Sequence, residues 1–328
     1  MPTSYLFIII SGFLLTSLLI LILQKLAIKY HFLTSGSIPL IGGIAMGFAF
    51  LIICLVVFAA NSGLSQGITG ILSASLIMLI FGIIDDWREL SVVAKFTVQI
   101  ICVAVLILFG VRTQIIHIGK IFNIIITFLW IIGVVNALNH LDIMDGLAAG
   151  VTAIVSLAFF SISILTGNIN AAFLSLGLAA VSVTFLRHNL PSARIYMGNA
   201  GSHFLGFVLA AVAIMISYAS LDRKIALFTP ILILGFPIFD TIFLILMRIK
   251  QGRSAFKKSK DHLTSRFLKM GYSKNKTLVF LLFLCLFFSF CGITVSRASN
   301  QWSAAIIIAV IIGVSILTIK MDKIPTDD

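Results

Sequence analysis

Charge is what this sequence has least of. Asp, Glu, Lys and Arg make up 10 % of its 328 residues, whereas 60 % are hydrophobic. A soluble domain carries roughly a quarter charged residues and about half apolar ones, so a water-soluble fold is excluded. Cysteine is scarce too: Cys54, Cys102, Cys285 and Cys291 stand inside apolar runs without ligand-like spacing. That argues against a disulfide or zinc framework and for packing or lipid-facing positions. No basic residue precedes the apolar stretch from Tyr5 to Leu23, and no small-residue cleavage site follows it. The stretch is therefore expected to be a retained span, not a removed signal peptide. Internal repeats and low-complexity tracts are absent as well. Of the few charges, acidic ones are the minority, leaving a net charge of +12. Such a surplus can mark nucleic-acid binding, but in a membrane sequence it decorates cytoplasmic loops that face anionic lipid. No nucleic-acid partner is expected.

What the sequence has in abundance is long apolar runs. They cover residues 4–24, 38–60, 67–84, 93–111, 121–137, 147–166, 168–186, 203–219, 225–249, 277–296 and 303–319. About 20 apolar residues cross a hydrocarbon core of about 30 Å. The runs therefore predict an all-α, polytopic helical bundle of about eleven spans, one integral membrane domain over 1–328 with no room for a separate soluble domain. Seventeen Lys and Arg fall in or beside the odd-numbered connections and five in the even-numbered ones, with Lys95 just inside the fourth run. By the positive-inside rule the odd connections are cytoplasmic, the N-terminus periplasmic and the C-terminus cytoplasmic. Asp85, Asp86, Glu89, Asp142, Asp145 and Asp261 all fall in odd connections, so six carboxylates share the predicted cytoplasmic face. A transporter more often sets ionisable groups at the midplane of several helices, and here only Asp240 reads as intramembrane.

Four polar clusters carry chemistry. In "FGIIDDWREL", Asp85 and Asp86 repel each other unless a cation uses them; the plainer reading is a solvated helix end with Arg88 as partner. In "NALNHLDIMDGLAAG", Asn136, Asn139, Asp142 and Asp145 recur at intervals of three, so successive pairs are helix neighbours. Over nine residues that stripe drifts about half a turn on an α-helix, so a common target needs a break, which Gly146 and Gly150 permit. Alternatively the stripe caps its own backbone. In "RHNLPSARIYMGNAGSHFLGF", small residues around Gly201 and Ser202 open a helix whose N–H groups suit an anion, with Arg187 and Arg194 to neutralise a phosphate. A glycine turn with Ser202 as N-cap explains the same residues. The most basic connection, from Arg248 to Lys276, reads mainly as a lipid-attracted loop. Within it His262, beside Asp261, is a carboxylate-paired imidazole suited to a diphosphate.

Together and in this order, the clusters resemble the polyprenyl-phosphate N-acetylhexosamine-1-phosphate transferases. The resemblance runs from "IPLIGGIAM" through "GIIDDWREL", Lys95 and Gln99, "NALNHLDIMDGLAAG", "RIYMGNAGSHFLGF" and "FPIFDTIFLILMRIKQGRSAF" to "KDHLTSRFLKMG". It implies transfer of an N-acetylhexosamine-1-phosphate from a UDP-sugar to a polyprenyl phosphate such as undecaprenyl phosphate. UMP is released, Mg²⁺ is required with Mn²⁺ as a substitute, and a lipid-linked envelope glycan such as O-antigen of lipopolysaccharide is initiated. It implies a multi-pass protein of the inner membrane with its site on the cytoplasmic face, and a homodimer as an option. By position, Asp85, Asp86, Asp142 and Asp145 match catalytic residues, and Asn139 and the residue at 199 the metal ligands. Lys95, Asn136, Arg194, Gly201, Ser202 and His262 match substrate-binding positions. This sequence departs from the pattern at Asn199, usually Asp; at Ile143, usually Gly; at Thr264 and Ser265, usually His; and at Thr34, often basic. The missing histidines argue against the pentapeptide translocase branch. Asn199 keeps open a catalytically weak or silent relative, and a transporter remains the third class.

Overall fold

The computed structural model describes residues 2–30, 32–61, 63–220, 222–252 and 261–324. The lysine-rich stretch 253–260 lies outside them. The chain is an all-α, polytopic helical bundle, and it divides into two compact units, Met1–Ser217 and Tyr218–Asp328.

The first unit holds α1 (Pro2–Tyr30), α2 (Gly42–Asn61), α3 (Gln66–Trp87), α4 (Val92–Leu108), α5 (Gly119–Leu141), α6 (Leu147–Thr166), α7 (Ile169–Asn189) and α8 (Gly198–Met215). All but the 17-residue α4 are long and apolar enough to cross a membrane. The second helical run predicted from residue 38 begins later, because a two-stranded hairpin precedes it. Thr34 pairs with Pro39 and Ser35 with Ile38 around a turn at Gly36. Beyond the hairpin, Tyr196 N–H donates to Pro39 O at 2.8 Å and Gly42 N–H to Tyr196 O at 2.9 Å, tying residues 39–42 to the loop before α8.

Helix α8 is the centre of this unit. Nearly every side chain from Gly198 to Ala213 is buried. Backbones come unusually close here: a Cβ on Gly43 of α2 would strike the Gly201 main chain, and one on Gly206 would lie 2.8 Å from Val135 Cα of α5. Only glycine permits such approaches, and each lets more atoms of α8 meet partners at contact distance. Sequence hydropathy placed this helix at 203–219. It starts five residues earlier, within "GNAGS", because a cap is supplied from far away in the chain.

The second unit contains α9 (Thr229–Ile233), α10 (Gly235–Lys250), α11 (Leu263–Lys269), α12 (Lys274–Val295) and α13 (Asn300–Asp322). A single helix was expected over 225–249. Instead a 3₁₀ segment, Lys224–Phe228, and α9 meet α10 at a bend of 72°. Pro230 and Pro237 lie on either side of the break; each lacks an N–H and disfavours helix in the residue before it. The C-terminal end of α13 is held by Arg266, whose Nη1 donates to Met321 O at 2.6 Å and also to Ile324 O.

Candidate active site

The polar residues of the first unit converge on the N-terminus of α8. Asp86, at the end of α3, places its carboxylate against the two opening amides of that helix. Asn199 N–H donates to Oδ1 at 2.7 Å and Ala200 N–H to Oδ2 at 2.9 Å. This carboxylate occupies the position at which the sequence suggested a phosphate, and the helix macrodipole favours it there. Gly198, at φ +70°, leaves the room: a Cβ on it would collide with Asp86.

Its neighbour Asp85 has a different environment. It is 2 % exposed, its Oδ2 lies 2.6 Å from Lys95 Nζ, and its Oδ1 accepts from Leu90 N–H at 2.8 Å. The partner is Lys95 of α4; Arg88 instead stacks over the Trp87 ring at 5.0 Å. A buried carboxylate bound to a lysine and an amide is not a solvated helix end.

Helix α5 supplies the next residues. Asn136 and Gln99 face each other as paired amides, with Asn136 Nδ2 donating to Gln99 Oε1 at 2.9 Å. One turn on, Asn139 Nδ2 donates to Asn199 Oδ1 at 3.0 Å and to Ser202 Oγ at 2.9 Å. Ser202 in turn donates to Gly198 O at 3.2 Å, so it lies inside the first turns of α8 and is not its N-cap. Gly201 is buried against Gly43.

The anticipated break in the Asn-Asp stripe is present. Helix α5 ends at Leu141, Asp142 caps it at φ −79° and ψ 50°, and Gly146 at φ +80° turns the chain into α6. Asp145 Oδ2 accepts from Ala193 N–H at 3.2 Å. The buried Asn189 bridges the same two loops, accepting from Gly146 N–H and donating to Ile195 O, both at 2.9 Å. Sequence reading missed Asn189; its only signal was an amide next to the basic end of α7. Arg194 is exposed on the loop, its own N–H donating to His188 O. Burial first, then the Asp86 and Asp145 carboxylates, push Asp142 up to about 7. Three acidic side chains thus share one neighbourhood.

In the second unit, the carboxylate that meets His262 is Asp240 of α10. Nδ1 and Oδ2 are 3.0 Å apart, and Asp240 Oδ1 accepts from Leu263 N–H at 3.2 Å. Asp261 accepts from Gln251 Nε2 at 3.3 Å and lies 3.7 Å from Arg266 Nη2. The intramembrane carboxylate noted in the sequence is therefore the partner that orients the imidazole.

As to a metal, no group of three or more His, Cys, Asp or Glu among the described residues is arranged to hold one. Side-chain amide oxygens are donors that a hard cation accepts, and the amides of Asn139 and Asn199 meet here in hydrogen-bond contact, Asn139 through its nitrogen. Turning the Asn139 amide over would bring two oxygens together, a choice of orientation that the hydrogen-bond network sets.

In the first unit, buried carboxylates, paired amides and a capped helix end gather into one polar cluster among apolar helices, the setting of a candidate site in a membrane protein. The family model for glycosyl transferase family 4 matches residues 68–217, the stretch that carries every candidate of the first unit. The chain is similar to curated relatives in several bacteria. The "Probable undecaprenyl-phosphate N-acetylglucosaminyl 1-phosphate transferase" of Bacillus subtilis is 29 % identical, over 93 % of this chain and 88 % of that protein. The "Decaprenyl-phosphate N-acetylglucosaminephosphotransferase" of Mycobacterium tuberculosis is 32 % identical, over 74 % and 68 %. The "Undecaprenyl-phosphate alpha-N-acetylglucosaminyl 1-phosphate transferase" of Escherichia coli is 23 % identical, over 83 % and 79 %. The chain belongs to glycosyl transferase family 4 and is a multi-pass membrane glycosyltransferase.

Proposed function

We propose that this protein transfers an N-acetylhexosamine-1-phosphate from a UDP-sugar to a polyprenyl phosphate and releases UMP, initiating a lipid-linked envelope glycan. The observation that carries the reading is the direct linkage of Asp86, Asn139 and Asn199, from α3, α5 and α8, at one helix N-terminus. The relatives' names support a polyprenyl phosphate acceptor and a transferred N-acetylglucosamine-1-phosphate class, and the UDP donor follows from the family resemblance of the sequence motifs. The site belongs on the cytoplasmic face of the inner membrane, where a soluble nucleotide sugar and a lipid phosphate meet. With α4 and the bent α9–α10 pair each counted as a crossing, the nine long apolar helices among the described residues would make eleven spans. An odd number would put the termini on opposite sides, and the Lys and Arg excess in the odd-numbered connections favours a periplasmic N-terminus and a cytoplasmic C-terminus.

In the reaction, an oxygen of the polyprenyl phosphate attacks the sugar-linked phosphorus. A new P–O bond forms as the bond to the UMP oxygen breaks, and UMP leaves with that oxygen. The acceptor phosphate is already largely dianionic at neutral pH, since its second pKa is near 6. The residues therefore position groups and manage charge more than they abstract a proton. Asp86 holds the α8 terminus rigid, Asn139, itself braced on Ser202, fixes Asn199, and the Asp85–Lys95 pair sets the charge beside them. Asn139 and Asn199 would hold Mg²⁺, which when bound supplies positive charge against the UDP-sugar diphosphate.

Purified protein given radiolabelled UDP-N-acetylhexosamines, undecaprenyl phosphate and Mg²⁺ tests this reading. Labelled sugar-phosphate on the lipid together with free UMP is the expected result. Binding of the UDP-sugar without transfer would instead favour a silent relative, the second reading that Asn199 motivates. Movement of sugar across vesicles without UMP release would make it a transporter.

A further inference from the structure

His203 lies one helical turn beyond Asn199 on α8. Its side chain is buried, with the residue 1 % exposed, and neither ring nitrogen has a hydrogen-bond partner among the described residues. A neutral imidazole carries one N–H and one lone pair, and burying both unmatched is costly. Packing does not account for the choice of residue. The ring lies against Phe81, centroids 5.6 Å apart and planes at 43°, and a phenylalanine would make that contact with no polar atoms to satisfy.

Charged and titratable groups of three helices act on the ring: Asp85 of α3, Lys95 of α4 and His140 of α5. Phe81 and Asp85 are four residues apart on α3, so the ring that touches the imidazole and the carboxylate lie on one face of that helix. Asp85 uses one lone pair for Leu90 N–H and one for Lys95, and an ionised carboxylate has about four lone-pair sites.

We propose that His203 is a positioning residue for Asp85, joined to its carboxylate through one buried ordered water that takes the imidazole N–H. Such waters satisfy polar groups inside proteins with about three hydrogen bonds each and are costly to remove. The water and the imidazole form the inner floor of the site and hold the Asp85–Lys95 pair in one orientation.

Two arms test the inference, and the first does not need catalysis. An experimental structure that resolves waters should show one within about 3 Å of both a His203 ring nitrogen and an Asp85 oxygen; a dry slot between them overturns the proposal. The second arm rests on the transfer reaction proposed above and compares H203F with H203N and H203Q. The phenylalanine keeps the packing on Phe81 but removes both polar atoms, and should lower kcat at least about tenfold with KM for the UDP-sugar little changed. An amide restores a donor and acceptor near one or other ring nitrogen, so at least one amide variant should recover most of kcat. Wild-type kcat in H203F, or an equal loss in all three variants, would overturn the positioning role. Absence of transfer in the unmodified protein would count against the reaction, and the water would still be decided by the first arm.

Discussion

Asp86 closes the N-terminus of α8 from 113 residues away, accepting the Asn199 and Ala200 amides on its two oxygens. One side chain thereby joins the end of α3 to the opening turn of the most buried helix in its unit. Asp86→Ala should destabilise the protein by about 1–2 kcal/mol through loss of cap and dipole interactions, and should lose most turnover. Asp86→Asn keeps one acceptor and should lose turnover with a smaller drop in melting temperature. Thermal unfolding in detergent, read beside the transferase assay, separates the two effects; an unchanged melting temperature in Asp86→Ala would sink the capping role.

The Asp85–Lys95 pair leads to a different expectation. Removing lysine leaves a buried carboxylate without its counter-charge, so Lys95→Met should cost about 3 kcal/mol. Asp85→Asn combined with Lys95→Met should be more stable than Lys95→Met alone, because no buried charge is then unmatched. Arg88→Ala should have little effect on stability. A double-mutant cycle with no coupling between residues 85 and 95 would contradict the pairing.

Burial and the Asp86 and Asp145 carboxylates raise the Asp142 carboxyl toward neutrality. Its value is raised from 3.8 to about 7, so the folded protein binds a proton that the unfolded chain releases between those limits. Its contribution is therefore present at low pH and is lost as pH rises from about 4 to 7. Asp142→Asn should abolish that fall and raise the melting temperature at pH 8 by about 2–4 °C, while suppressing turnover. If the ionised form is the working one, the wild-type rate should climb between pH 6 and 8. Melting curves and rates at pH 5, 6, 7 and 8 check both; identical pH dependence of stability in the two proteins would show that Asp142 does not titrate there.

Asn199 accepts from Asn139 at 3.0 Å, and as a neutral amide it is a weaker ligand for a hard cation than a carboxylate. Asn199→Asp should lower the half-saturating Mg²⁺ concentration. The added charge also repels two phosphate-bearing substrates, so the maximal rate can fall at the same time. Titrating activity against Mg²⁺ in both forms decides the point. An unmoved midpoint would mean that residue 199 does not touch the metal.

Asp240 fixes His262 by an Nδ1 contact of 3.0 Å while accepting the Leu263 amide. Asp240→Asn keeps the second bond on its oxygen but then presents an NH₂ to Nδ1, which reverses the tautomer the carboxylate favours. Activity should drop about 10- to 100-fold, the range for partners that orient a functional imidazole. His262→Ala added on top should cost little more. Full activity in Asp240→Asn would show that the tautomer is immaterial.

Sequence alone determined the solvent this protein folds in. Long apolar runs and a 10 % charge content admit only helices that satisfy their own backbones inside lipid, and the polar clusters between those runs supplied the candidates for a site. These are local signals, readable over windows of 10–20 residues. The tertiary structure decided which polar groups pair. Asp85 chose Lys95 over the adjacent Arg88, Asp86 met two amides 113 and 114 residues on, and His262 met Asp240 rather than resting on its neighbour Asp261 alone. It also set where α8 begins and where the predicted 225–249 helix bends, since a distant cap and paired prolines outweigh hydropathy at a helix end. The physical reason is range: a hydrogen bond is made within about 3 Å of space, and no periodicity along the chain records which distant residue folding will bring there.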